Sequence, residues 1–131
     1  MNTPNTLIDQ LDQESAPSKD DKNVMAFEFE GYMIYVGRNA LSNERIVKHH
    51  PHRECVWFHA LGAKGSHVIL CHGAVHENFT DGAIRKAGQL ALRFSRSQAR
   101  SVLYARLNNV VKTADSGLGV FHPTKTTQID V

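Results

Sequence analysis

The segment TDGAIRKAGQLALRFSRSQAR, residues 80–100, limits the choice of fold more than any other stretch. At 100° per residue, Ile84, Ala87, Leu90, Ala91 and Phe94 share one side of a helix. Arg85, Arg93, Arg96 and Arg100 share the opposite side, with Lys86 at the edge. A single apolar stripe has to lie on another layer, so the helix is one component of a layered domain. Thr80 or Asp81 supplies its N-terminal cap. No acidic residue follows Asp81 in the segment, so these arginines lack the i,i+4 partners of an ordinary solvated face.

The covering layer is read from the flanking runs. MAFEFEGYMIYVG, residues 25–37, alternates around Gly31 and gives two strands in a hairpin or one bent strand. RNALSNERIVKHH predicts a short helix capped by Asn39 or Ser42, with Leu41, Ile46 and Val47 inward and Pro51 as its stop. CVWFHA and SHVIL are two strands around a five-residue loop with two Gly and one Lys. SVLYARL, NNVVKTA, LGVFH and TTQIDV follow as short strands between turns. The order β-β-α-β-β-α-β-β-β is that of an α+β domain, one mostly antiparallel sheet with two main helices.

The length of 131 residues fits one domain with a core of its own, so size demands neither disulfide nor metal. Residues 1–24 are polar with few apolar groups and are expected to be a disordered acidic tail ahead of a folded body at 25–131. Leu7, Ile8 and Leu11 could share one turn as a docking motif, but a frayed tail is the favoured expectation. The N-terminus has neither the basic-then-apolar pattern of a signal peptide nor the Arg-rich character of a transit peptide. No apolar run approaches the ~18 residues of a membrane span. Cys55 and Cys71 are too few for a secreted disulfide framework, which favours reduced thiols and a cytoplasmic setting over a bridge between neighbouring strands.

The formal charge of +2 hides an asymmetry. Residues 1–30 hold two basic against seven acidic residues, −5, while residues 31–131 hold 13 against six, +7. All eight histidines lie in the second part. A basic body behind an acidic leader points to a polyanion partner.

The loop GAKGS suits a phosphate oxygen, with flexible backbone, amide N–H groups and one cation. It lacks the spacing of a P-loop, and no helix follows it. As a plain hairpin connection, it would need Gly65 at positive φ. His59 and His67 flank the loop. Each could bond backbone at the sheet's end, or could donate to phosphate or ribose and stack on a base. Trp57 and Phe58 must face opposite sides, and Phe58 is expected toward ligand or solvent. Cys55, His59, Cys71, His72 and His76 match no known zinc spacing, so no metal is expected. KHHPH, with His49, His50 and His52, suits a solvated helix end. Ser66 and His67 are adjacent on a strand and diverge, and carboxylates are few in the body. A nucleic-acid-modifying enzyme is therefore the minority reading.

Three ordered motifs resemble the RNA-binding domain of the NFACT family. GYMIYVGRNALSNE carries Gly-Arg-Asn and then Asn-Glu; VWFHALGAKGSHVIL carries Trp-Phe-His-Ala and Gly-Ser-His-Val-Ile; NNVVKTADSGLGVFH resembles the closing Lys-Thr-Ala-Asp and Gly-x-x-x-Phe-His. The resemblance covers about residues 27–130. One departure is Cys55, where the family commonly has an acid two positions before the Trp; Glu54 stands beside it.

NFACT proteins are ribosome-associated quality-control factors that bind tRNA on stalled large subunits. Their N-terminal domains and helical hairpin are not in this sequence, so tail elongation does not carry over. The resemblance implies a stand-alone, non-catalytic domain without a cofactor. Its implied partners are tRNA or ribosomal RNA and the ribosome, and no membrane. A related branch has been connected with DNA, which charge alone does not separate. A ribosome-docking adaptor using the acidic tail is the other alternative. The implied site is Arg38 as a forked phosphate donor, Asn39 as cap or contact, Asn43, His59, Lys64, Gly65, Ser66, His67 and Lys112. Arg93, Arg96 and Arg100, with Arg85, would form an electrostatic track.

Overall fold

The computed structural model describes residues 23–48, 55–62, 65–72, 78–95, 100–113 and 115–131. Residues 1–22 of the expected tail, Pro51, the KHHPH histidines, Lys64, His76 and Arg96 lie outside the described residues. Strand β1 (Val24–Phe29) begins one residue before the expected body and turns directly into β2 (Tyr32–Gly37). Phe29 pairs with Tyr32, and the two turn residues both have positive φ, 50° at Glu30 and 89° at Gly31. That is the two-residue turn whose twist suits a tight hairpin.

Helix α1 (Ala40–Lys48) follows, then β3 (Cys55–Ala60), β4 (Val68–Cys71) and helix α2 (Asp81–Arg93). Strand β5 (Ser101–Arg106), a 3-10 turn at Leu107–Asn109, β6 (Val110–Val111), β7 (His122–Pro123) and β8 (Thr127–Asp130) complete the order. Six strands form one antiparallel sheet, β1-β2-β4-β3-β5-β8, and β6 and β7 pair as a separate ribbon. The fold is α+β, with both helices starting where the periodicity put them. Helix α2, however, ends at Arg93 with Phe94 as its cap, so Arg100, expected on the helix's basic face, stands off it ahead of β5. Thr80 Oγ1 accepts from Ala83 N at 3.1 Å and caps α2. Among the described residues, no helix is long and apolar enough to cross a membrane.

Both faces of the sheet are covered. Ala83, Ala87, Leu90 and Ala91 of α2 pack on Ile34, Val36, Phe58 and Val68. On the other face Ile46 and Val47 of α1 meet Tyr35, Trp57, Ile69, Leu107 and Val110. This overturns the expected outward Phe58, which is fully buried under α2 while Trp57 takes the other face. A central strand with two covered faces has no side left for solvent. Leu41, expected inward, is 44% exposed, because α1 turns Ser42, Asn43 and Glu44 inward instead. Cys55 and Cys71 stand directly opposite on β3 and β4 with Cα atoms 4.4 Å apart, and they form a disulfide. The expected free thiols are corrected on this point; register between strands, which the cysteine count does not carry, makes the bridge.

Candidate nucleic-acid interface

The site grows from the start of α1. Asn39 Oδ1 accepts from Ser42 N at 2.8 Å, and Ser42 Oγ accepts from the amides of Arg38 and Asn39 at 2.9 and 3.0 Å. This reciprocal cap fixes Arg38 and Asn39 at the end of β2. Gly37 lets the helix approach: a Cβ there would stand 2.4 Å from Asn43 Oδ1. Asn43 Oδ1 accepts from His67 N at 3.1 Å, and Gly37 N donates to His67 O at 3.0 Å. Both backbone groups of His67 are thereby held.

The His67 ring is buried, and Trp57 Nε1–H donates to its Nδ1 at 3.0 Å. An indole nitrogen can only donate, so the neutral imidazole carries its proton on Nε2. Burial, then the neighbouring His59, push the His67 pKa down to about 3, against a smaller opposing pull from Glu44. His67 is therefore a neutral N–H donor, not a cation. His59 Nδ1 lies 2.8 Å from Ala60 O. A carbonyl only accepts, so Nδ1 holds the proton and Nε2 of the neutral ring is an acceptor. The His59 ring stacks on Trp57 at 5.8 Å and meets His67 edge-on at 5.0 Å. Ser66 is also buried, at 5% exposure. Among the described residues, neither Ser66 Oγ nor His67 Nε2 has a hydrogen-bond partner.

These groups open on a cleft of about 820 Å³. Arg38 stands at its rim with its guanidinium 5.7 Å from the centre of the Phe94 ring, at the end of α2. Gly65 forms an isolated bridge to Ser95, and a Cβ on it would come within 2.9 Å of Ser95 Cα. Gly65 thus serves close approach rather than the expected positive φ, which belongs to Gly62 at 68°. The apolar walls are Leu103 of β5 and the segment Leu118–Phe121.

Glu44 fastens that segment. Its Oε1 accepts from Gly119 N at 2.7 Å and from Lys112 Nζ at 2.9 Å, and its Oε2 pairs with Lys48 at 2.8 Å. Burial alone would raise the carboxyl, but the hydrogen bonds from Lys112, Lys48 and Gly119 hold it at about 2. Gly119, at φ 76°, lies against α1, where a Cβ would sit 2.7 Å from Ala40 O. Lys112 also donates to Gly117 O at 2.7 Å and lies 4.9 Å over Phe121. Lys112, expected on the RNA site, is tied to a carboxylate 68 residues upstream. Glu44 itself escaped the sequence reading as a site residue; its signal was the Asn-Glu pair in a body poor in acids.

The structure brings most of the expected cluster to one place. Arg38, Asn39 and Asn43 come from the start of α1, His59 from β3, and Gly65, Ser66 and His67 from the approach to β4. Arg93 is exposed beside Phe94, and Arg100 is exposed ahead of β5. Arg85 lies two turns earlier on α2, about 12 Å along the axis from Arg93, with Nη1 3.4 Å from Asp130 O.

The fold and cleft define a small α+β binding domain with an arginine at the mouth of a partly apolar pocket. The profile of the NFACT protein RNA binding domain matches residues 22–121. The chain belongs to the NFACT RNA-binding domain family. It is 32% identical over 80 residues to proteins named Rqc2 homolog RqcH from two strains of Streptococcus pneumoniae, a match covering 61% of this chain. The match spans 14% of the length of those relatives. The C-terminal part of the fibronectin/fibrinogen-binding protein from Streptococcus suis has the same fold, at TM-score 0.73 and 22% identity. That alignment covers 91% of this chain and 48% of the other.

Proposed function

We propose that this domain binds tRNA or ribosomal RNA without chemical conversion, and that the RNA enters the cleft between α1, β3 and the Leu118–Phe121 segment. The observation that carries the proposal is Arg38, a cation held over Phe94 at the rim of a pocket with unsatisfied polar groups. Arg38 takes a phosphate, and Arg93, Arg96, Arg100 and Lys64 extend the electrostatic contact along the strand. Family membership supports RNA as the partner. The relatives named Rqc2 homolog support work beside the ribosome in quality control, and hence in the cytoplasm. A binding role without catalysis is supported by the family, whose domain is one of RNA binding.

Titration of labelled tRNA at several salt concentrations tests this. With about four phosphates contacted, log affinity falls against log salt with a slope of about −3 to −4. A flat response removes the proposal, and RNA shortened or altered during the titration removes its non-catalytic part.

A further inference from the structure

We infer that the cleft takes one unpaired ribonucleotide of the bound RNA and reads a ribose hydroxyl between His59 Nε2 and His67 Nε2–H. The inference rests on the RNA-binding proposal above and deepens it. The Trp57 indole fixes His67 as a donor at Nε2, and the Ala60 carbonyl leaves the neutral His59 ring an acceptor at Nε2. The two rings meet edge-on with centroids 5.0 Å apart, a spacing compatible with one small group bridging them. A hydroxyl donates and accepts through a single atom and satisfies the pair. A phosphate oxygen only accepts, so it would leave His59 unmet, and neutral His67 brings it no charge. Ser66, buried in the lining of the same cleft, offers it a further hydroxyl.

The rest of the cleft fits the remainder of a nucleotide. Phe94, Leu103 and Phe121 give a base an apolar wall, and Arg38 stands where a phosphate leaves the pocket. The volume of about 820 Å³ lies within the range of small-ligand clefts. A stacked and paired base cannot enter between elements in this way, whereas a splayed one can. Deoxyribose has no 2′-hydroxyl to place between the histidines, so the cleft would separate RNA from DNA.

The test is fluorescence anisotropy on the full chain with three labelled probes of one unstructured sequence: all-ribo, all-deoxy and 2′-O-methyl. A nucleoside 5′-monophosphate mixture serves as competitor. The variants are His59→Phe, which keeps a ring on Trp57, and Ser66→Ala, each checked for folding by its melting transition. The ribo probe should bind roughly tenfold or more tighter than the other two, the worth of one hydrogen-bonded hydroxyl. His59→Phe should bring the three within about twofold by weakening the ribo probe alone, with Ser66→Ala acting in the same direction if His59→Phe does not fold. Equal binding of ribo and deoxy probes overturns the ribose assignment and leaves RNA binding standing. Monophosphates that displace RNA at the probe's own affinity overturn the strand assignment. Absence of binding by all probes and by tRNA removes the proposed function itself.

Discussion

The Trp57 indole N–H donates to His67 Nδ1 at 3.0 Å, linking two adjacent strands across the floor of the cleft. This bond decides the chemistry of the site. It sets the His67 tautomer and leaves the other ring nitrogen as an N–H donor, while the same indole stacks with His59. Trp57→Phe keeps an aromatic ring but deletes the donor. It should destabilise the domain by about 1–3 kcal/mol in chemical denaturation and weaken RNA binding.

Acid should unfold the domain in two stages. His67 stays neutral in the fold down to about 3, against an ordinary value of 6.5. Its stabilising contribution is therefore whole above pH 6.5 and is lost as pH falls toward 3, because only the unfolded chain takes up the proton. Glu44, held at about 2 against 4.5, contributes fully above pH 4.5 and loses that contribution as pH falls toward 2. Melting temperature should begin to decline near pH 6 and fall more steeply below pH 4.5. The His67 contribution over its whole range is roughly 3–5 kcal/mol. His67→Gln should flatten the upper stage and leave the lower one.

Two cations of the same sequence cluster should behave differently. Lys112→Met strips a buried carboxylate of its main partner and should destabilise by roughly 1–3 kcal/mol, reduced from a fully buried pair by the partial exposure of Lys112. The salt slope of RNA binding should stay unchanged. Arg38→Ala should change stability by no more than about 0.5 kcal/mol and reduce the salt slope by about 1. Denaturation and salt titration on the two variants separate the roles.

Gly37→Ala drives a methyl into Asn43 Oδ1 and displaces the bond that holds His67 N. A loss of about 2 kcal/mol or more is expected. Because part of the clash is with Asn43 Oδ1 and part with the Asn43 backbone, the Gly37→Ala, Asn43→Ala double variant should cost less than the sum of the single variants but more than Asn43→Ala alone.

Local pattern made much of this molecule legible. The 3.6-residue period located α2, alternation located the β1–β2 hairpin, and the motifs grouped Arg38, Asn39, His59, Ser66 and His67 before any contact was known. Long-range pairing was not legible. Whether Lys112 meets RNA or Glu44 depends on how the Leu118–Phe121 segment folds over α1. Whether Cys55 meets Cys71 depends on strand register. Phe58 looked outward because alternation assigns opposite faces without saying that both are covered. Gly65 reads as a turn residue in sequence, while its function as a close contact with Ser95 exists only once α2 is docked.

The central claim is that RNA occupies the cleft floored by Trp57, His59 and His67, and NMR titration of the full chain with tRNA tests it most directly. The account predicts saturable shifts of the Trp57 indole N–H and of the His59 and His67 ring signals, together with the Arg38 side chain. Saturable binding that leaves those signals in place and moves only the exposed arginines of α2 would contradict it.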